Sequence, residues 1–399
     1  MNNICDYNKC TGCFACVSAC PAGCIKMVED EYCETHPVVD DSKCLHCNLC
    51  KKVCPNNNTL DFARPIKCYA SWLTDYERRE KCASGGIASI LAEYVIDNGG
   101  IVFGTAYDEN FVPRFRFIEK KEDIDLFKGS KYVQSIVGED TFGKVKDFLS
   151  KERLVLFVGT PCQVAGLKQF LKKDYSNLIT ADLICHGCCP TKYFEDEIDH
   201  IKKKKHIESL SEIRFRDNQG HNYCLTLWQT DDKTKELKCV YNKPRYEQPY
   251  FAGFVLGVSM RENCYTCNYA RPERIGDITI GDFLRLGRNV PFEYQVKQAS
   301  VVLINNEKAE TFYSKVSASF DPILMNVERE YEERLQYRPS LMEPFAKHPL
   351  HESFKRKLKK KGFVKAIRSV LRMFLLKSFE KRKKKEVKQF LKIILGRHV

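Results

Sequence analysis

Two stretches near the start of the chain carry cysteines at a spacing suited to iron–sulfur chemistry. Cys10-Thr11-Gly12-Cys13-Phe14-Ala15-Cys16-Val17-Ser18-Ala19-Cys20-Pro21 reads C-x2-C-x2-C-x3-C-P, and Cys44-Leu45-His46-Cys47-Asn48-Leu49-Cys50-Lys51-Lys52-Val53-Cys54-Pro55 repeats it. A [4Fe–4S] cube needs four thiolates around it, and two-residue gaps let one tight loop bring three sulfurs to one face. The fourth cysteine of each run, just before the proline, serves the other cluster. The spacing therefore predicts one cluster on Cys10, Cys13, Cys16 and Cys54, and a second on Cys44, Cys47, Cys50 and Cys20. Zinc also accepts paired C-x2-C motifs, but it does not need three cysteines at that spacing followed by x3-C-P, twice over. A dicluster module relays single electrons and selects no substrate. The rest of the chain must supply the chemistry.

Thirteen of the 21 cysteines lie outside those eight. Cys162 follows Gly159-Thr160-Pro161 after one apolar run, Cys185 precedes His186-Gly187 after another, and Cys264 and Cys267 form a C-x2-C. In an α/β sheet, loops at the carboxyl ends of strands meet at the ligand crevice. Four thiols so placed can hold a third [4Fe–4S] cluster, or they can be packing cysteines, which behave as small hydrophobes. Spacing leaves both open, and Cys188 and Cys189 compete with Cys185 as ligands. The other cysteines, among them Cys5 and Cys24, read as packing or incidental. Ser84-Gly85-Gly86 at a helix start offers backbone N–H groups to a phosphate, or is an ordinary cap. Lys128-Gly129-Ser130-Lys131-Tyr132 sets two cations, a hydroxyl and a stackable ring in one loop, or is a solvated basic turn.

The elements that position these residues follow from hydrophobic period. Ile87, Ile90, Leu91 and Val95 fall at helical spacing in Ile87–Ile96, Asn98-Gly99-Gly100 stops that helix, and Ile101–Gly104 reads as a buried strand. Leu154–Val158 is a second strand, Gln163–Leu171 a helix and Leu178–Ile184 a third strand. Strand, loop, helix, strand is the α/β pattern. From Ile213 to Gly281 the apolar runs are shorter and strand-like, at Tyr223–Trp228, Phe254–Ser259 and Asp277–Ile280; after Glu307 helical patterns dominate. No Gly-x-Gly-x-x-Gly follows a strand, so an ordinary dinucleotide fold is not expected.

Several short stretches together resemble the coenzyme F420 hydrogenase/dehydrogenase beta subunit family, iron–sulfur flavoproteins that also include a plant chlorophyll-catabolic reductase. They are Cys82-Ala83-Ser84-Gly85-Gly86, Lys128–Tyr132, Gly159-Thr160-Pro161-Cys162-Gln163-Val164-Ala165-Gly166-Leu167, Asp182-Leu183-Ile184-Cys185-His186-Gly187, Cys264-Tyr265-Thr266-Cys267 and Asp277-Ile278-Thr279-Ile280-Gly281-Asp282, in order over about residues 66–290. The resemblance implies a flavin, FAD or FMN, beside a third [4Fe–4S] cluster on Cys162, Cys185, Cys264 and Cys267. It also implies flavin contacts from Ser84, Gly85, Gly86, Lys128, Gly129, Ser130, Lys131 and Tyr132. Coenzyme F420 is the family's signature two-electron acceptor, although its members reduce unrelated substrates.

The chain has 399 residues, 65 Lys+Arg and 52 Asp+Glu, a formal charge of +13. That charge belongs to the end of the chain. Residues 352–399 hold 18 Lys+Arg and 3 Asp+Glu, a net +15, so the other 351 residues stand at −2. No apolar run approaches the ~20 residues that span a bilayer. Met1-Asn2-Asn3-Ile4-Cys5 has no apolar h-region, so a cytoplasmic chain with cysteines as metal ligands is expected rather than a disulfide framework. Phe363, Val364, Ile367, Val370, Leu371, Phe374 and Leu375 share one helical face between basic runs, a pattern suited to an anionic membrane surface. No recognised nucleic-acid module accompanies the charge.

The expected architecture is α+β and α/β in sequence. A dicluster ferredoxin-like domain (1–62) precedes an α/β flavin- and Fe–S-binding domain (66–320) and a helical, basic extension (321–399). The expected function is an oxidoreductase passing electrons from a one-electron partner protein through the clusters to a flavin, which exchanges a hydride with a small molecule, possible placement being the inner membrane face. The alternative is a ferredoxin-like electron-transfer subunit without catalysis of its own.

Overall fold

In the computed structural model, which describes residues 4–216, 222–335 and 339–394, the N-terminal module consists of α1 (Ala15–Ser18), the antiparallel hairpin β1 (Ile25–Glu29) and β2 (Thr35–Val39), and α2 (Leu49–Lys52). The body continues as β3 (Lys67–Leu73), α3 (Tyr76–Glu80), α4 (Ile87–Asp97), β4 (Ile101–Tyr107), β5 (Pro113–Ile118), α5 (Thr141–Ser150), β6 (Val155–Gly159), α6 (Pro161–Leu171) and β7 (Leu178–Leu183). An inserted unit follows: α7 (Thr191–Lys205), β8 (Glu212–Arg214), β9 (Cys224–Thr230), β10 (Leu237–Pro244) and α8 (Pro249–Val255). Then come β11 (Ile278–Asp282), β12 (Ser300–Ile304), α9 (Glu307–Ser319), β13 (Leu324–Glu328), α10 (Tyr331–Leu335) and the long α11 (His351–Ile394).

Eight strands form one sheet in the order β13-β3-β12-β11-β7-β6-β4-β5. Its centre, β11-β7-β6-β4, is parallel, and both flanks are antiparallel. Strand period decides which face each residue serves. Val155 and Phe157 of β6 pack with α5, α6 and the Ala15–Val17 helix of the N-terminal module, whereas Leu156 between them packs with α4 on the opposite face. The cluster module is thus seated on the sheet's own core.

Its seat is a helix that starts firmly. Pro161 occupies the first turn of α6, where its missing N–H costs nothing, and Thr160 and Gln163 form a reciprocal capping box. Cys162 and Gly166 lie four residues apart and share a face. Gly166 is where the module touches, because a Cβ there would stand 2.9 Å from Cys13 Cβ and 3.0 Å from its sulfur.

Two sequence expectations change. Phe254–Ser259 is not a strand. The Gln248 side chain caps Phe251 N–H and Pro249 opens the turn, so the run forms the end of α8 and the turn after it; a short apolar run buried all round has no period to reveal this. The apolar face of α11 is also not available to a membrane. Phe363, Ala366, Ile367 and Leu371 are at most 1% exposed, packed with α7 and α8, and Val364, Val370, Phe374 and Leu375 are half-buried in the same cluster. Gly362, at φ +70°, bends the helix so that both halves reach the body. Arg368 donates to both oxygens of buried Glu197, at 2.7 and 2.8 Å. Among the described residues no helix is long and apolar enough to cross a membrane.

Ile367→Ala should therefore cost about 2–5 kcal/mol in chemical denaturation, the range for a buried large-to-small change. A helix reserved for a membrane surface would show almost no cost.

Candidate redox site

Cys10, Cys13, Cys16 and Cys54 line one cavity of about 320 Å³ within the N-terminal module, and all four are buried. Cys20, Cys44, Cys47 and Cys50 line a second, larger cavity of about 700 Å³, with Cys47 exposed at the surface. Among the described residues no three His, Cys, Asp or Glu side chains converge on a point where a single ion would fit. Each set of four thiols lines one cavity, and this all-thiol donor set fits a [4Fe–4S] cluster. Burial pushes the Cys13 thiol up to about 12. Iron, which takes the thiolate, supplies the compensation that buried charge demands.

The loops after β6 and β7 bring the remaining ligand candidates together with the turn at Glu262–Thr266. The thiols of Cys162, Cys185, Cys264 and Cys267 all feel one another electrostatically. Burial raises Cys162 to about 12 and Cys267 to about 11, and it raises Cys185 as well. Sequence reasoning named Cys188 as a rival of Cys185 but missed two further neighbours, Cys5 and Cys24. Cys188 lies 4.0 Å from Cys264, Cys24 lies 3.4 Å from Cys20, and Cys10 and Cys54 stand close enough to Cys5 to push its thiol well above the usual range. Each predicted set of four thus has a fifth thiol beside it. Cys189 is a packing residue, fully buried against Ser259. His186 packs edge-on against Phe254 and Phe345.

An elongated cavity enclosing about 1460 Å³, mouth included, runs from these loops along α4 and the 128–131 loop. Thr11 and Gly12 from the first cluster loop line it, as do Cys162 and Cys188. Of the residues expected to touch a flavin, Ser84, Gly86, Lys128, Gly129, Ser130 and Lys131 line this cavity; Gly85 and Tyr132 do not. Gly85 is pressed against the sheet, where a Cβ would come 2.2 Å from the Ser71 carbonyl. Tyr132 turns its ring into the core and stacks on Phe254 at 5.3 Å. Ser84 and Gly85 also spend polar groups internally, the hydroxyl donating to Ala299 O and the N–H to Ser300 Oγ. The phosphate-binding capacity of this turn therefore rests on the start of α4, where Gly86 takes φ +95° and Ile87 and Ala88 face the cavity.

Lys131 is the cation best placed for an anion. It makes no ion pair among the described residues, donating only to the carbonyls of Leu126 and Lys128 at 3.3 and 3.2 Å, and burial pushes it down to about 8. Lys128, by contrast, is paired with Asp125. A cavity lined by glycines at several positions and by one ammonium without an ion pair among the described residues fits a phosphate-bearing cofactor such as a flavin nucleotide.

On the cavity wall, Asp282 ends β11 and accepts from Arg216 Nη1 at 2.6 Å and Tyr223 OH at 2.9 Å. Arg216 and Arg245 cover the two sides of the Tyr223 ring, each 4.5 Å from its centroid. Burial raises the Tyr223 hydroxyl to about 12. Nothing in the spacing of residues 216, 223, 245 and 282 announces this group; only the topology assembles it.

A dicluster iron–sulfur module seated on an α/β body whose cavity it helps to line defines a redox protein. Sequence comparison identifies the lineage. Residues 9–58 match the 4Fe-4S dicluster domain, residues 68–138 match the coenzyme F420 hydrogenase/dehydrogenase beta subunit N-terminus, and residues 152–321 match the C-terminus of the same subunit. The chain belongs to the coenzyme F420 hydrogenase/dehydrogenase beta subunit family and carries an N-terminal [4Fe–4S] dicluster domain; its role is that of an oxidoreductase that transfers electrons. Among solved structures it is similar to a chain of the F420-reducing [NiFe] hydrogenase complex from Methanosarcina barkeri, at 17% identity over 78% of this chain and 94% of that one, with a TM-score of 0.43. No curated protein matches significantly.

Asp282→Asn should leave the buried Arg216 without its counter-charge and cost about 3 kcal/mol in denaturation. Tyr223→Phe, which removes one hydrogen bond, should cost about 1 kcal/mol.

Proposed function

We propose that the chain is an iron–sulfur flavoprotein that moves electrons between an external one-electron protein and a small two-electron substrate, coenzyme F420 or another acceptor. When bound, the flavin supplies the exchange between two-electron and one-electron chemistry. The observation that carries this reading is the shared wall: one cavity is bounded by the first cluster loop at Thr11 and Gly12, by Cys162 and Cys188, and by the anion-ready segments at Gly86 and Lys131. A subunit that only relayed electrons would need no such cavity.

In this reading the Cys20/Cys44/Cys47/Cys50 set, half-buried with Cys47 exposed, meets the partner protein, and the buried Cys10/Cys13/Cys16/Cys54 set lies inward. Cys162, Cys185, Cys264 and Cys267 hold a third cluster between that set and the cavity. Lys131 holds an anionic group of the flavin, and the α4 start offers it backbone N–H groups. Asp282, fixed by Arg216 and Tyr223, shapes the cavity wall where substrate enters.

Anaerobic purification with iron and acid-released flavin assays tests this. About twelve irons and one flavin per chain support the reading; about eight irons and no flavin support the electron-transfer subunit instead. The Lys131 assignment has a pH signature. The anion binds the ammonium form, so flavin affinity should fall as pH rises above about 8, and Lys131→Met should weaken flavin binding about tenfold and flatten that dependence. Loading of the third cluster runs the other way. Cys162 and Cys267 must give up protons held to about 12 and about 11, so reconstitution with iron and sulfide should improve as pH rises from 7 to 9.

A further inference from the structure

Arg261 is fully buried, and among the described residues no carboxylate accepts from its guanidinium. All five guanidinium N–H groups go to neutral oxygens. Nε donates to Asn263 Oδ1 at 3.1 Å, Nη1 to Gln134 Oε1 at 2.8 Å and Thr35 Oγ1 at 3.3 Å, and Nη2 to the carbonyls of Cys10 and Thr35, both at 3.2 Å. Its own backbone N–H donates to Cys188 O at 3.0 Å. The acid that acts on it most is Glu34, itself buried, whose carboxylate accepts the Glu262 N–H at 3.1 and 3.3 Å and pairs with Lys355 at 3.5 Å. A buried cation without a counter-charge is costly enough that proteins avoid it. Here the missing negative charge has an evident source on both sides, because Arg261 bonds to Cys10 of one cysteine set and to Asn263, next to Cys264 of another, while Thr35 and Gln134 take its remaining N–H groups.

We propose that Arg261 is the positioning residue that lets two [4Fe–4S] clusters sit side by side, its guanidinium fixed between the Cys10 loop and the Cys188–Cys264 loop and favouring the reduced state of both. A [4Fe–4S] core with four thiolates carries about two negative charges when oxidised and about one more when reduced. Each reduction takes one electron from the donor protein, breaks no bond and moves no proton at Arg261. A fixed positive charge between the clusters therefore stabilises the more negative state and raises the potential at which each accepts its electron. The surroundings are shaped for an arginine. Its rigid fork satisfies five acceptors at once, which a lysine cannot do. Gly12, at φ +66°, keeps the space open, since a Cβ there would stand 2.8 Å from Gln134 Nε2 and 3.7 Å from Arg261 Nη2.

The part of this inference that concerns the Cys162/Cys185/Cys264/Cys267 cluster rests on the function proposed above, whereas the part that concerns the Cys10 cluster rests on the dicluster domain alone. The test is an EPR-monitored redox titration of the cluster-loaded full chain, wild type against Arg261→Gln and Arg261→Lys. Arg261→Gln should lower the reduction equilibrium of the Cys10 cluster at least tenfold, a shift of about 59 mV for one electron. The surface cluster on Cys20, Cys44, Cys47 and Cys50 should stay put as an internal reference. Arg261→Lys, which keeps the charge, should recover most of the lost potential. If Arg261→Gln loses iron, recovery of iron in Arg261→Lys supports the charge role. Full loading of Arg261→Gln with unchanged potentials overturns the proposal, as does equal behaviour of the two variants. Iron content of the wild-type chain decides the third cluster separately; with about eight irons, the Cys10 titration still decides the role of Arg261.

Discussion

The contact at Gly166 sets the geometry on which the rest depends. Cys13 of the N-terminal module rests against the backbone of α6 at a point where no side chain fits, and Cys162 lies one turn away on the same face of that helix. A larger residue at 166 would separate the cluster loop from the sheet and open the gap that water fills. With the two surfaces in contact, the loop's next residues, Thr11 and Gly12, reach the cavity wall, and Arg261 reaches Cys10. The module is joined to the body by shared core packing as well as by the linker near residues 56–65, which makes its position relative to α6 a property of the fold.

Charge in this molecule is arranged around the cysteine loops. The chain's net charge comes from its last 48 residues, yet side chains at and just before the start of α11 turn inward. His351, Lys347 and Lys355 all bond to Glu262, two residues before Cys264, and together they hold that carboxylate well below the usual range. Lys355 also lies 3.7 Å from the Tyr32 ring centroid, and Lys359 pairs with Glu31, so the same helix clamps the β1–β2 hairpin region of the cluster module. α11 is a strap across both units. Among the described residues its exposed large apolar side chains are Met373, Leu376 and Phe379.

The sequence was most informative where chemistry demands fixed spacing. Two C-x2-C-x2-C-x3-C-P runs have few other uses, and the central helices and strands announced themselves through clean periods, as in Ile87–Asp97 and Val155–Gly159. It was least informative where a residue's role depends on what folding brings beside it. Cys5, Cys24 and Cys188 stand outside any motif, and nothing local separates them from the packing cysteine Cys189. Tyr132 looked like a ring for stacking a cofactor, yet it stacks on Phe254, because the inserted unit of α7, β8–β10 and α8 offers it an aromatic core. The apolar face of α11 was visible, but an amphipathic period cannot say whether the apolar partner is lipid or protein. Arg261 is the plainest case. An arginine beside a C-x2-C reads as surface charge until its complete burial is seen.

The most direct measurement of this account is an iron anomalous-scattering map from crystals of the anaerobically prepared chain. It predicts three iron peaks: one at the surface among Cys20, Cys44, Cys47 and Cys50, one against α6 at Gly166, and one among Cys162, Cys185, Cys264 and Cys267, with Arg261 between the last two. Two peaks confined to the N-terminal module, or a Cys13-bound peak standing clear of α6, would contradict it.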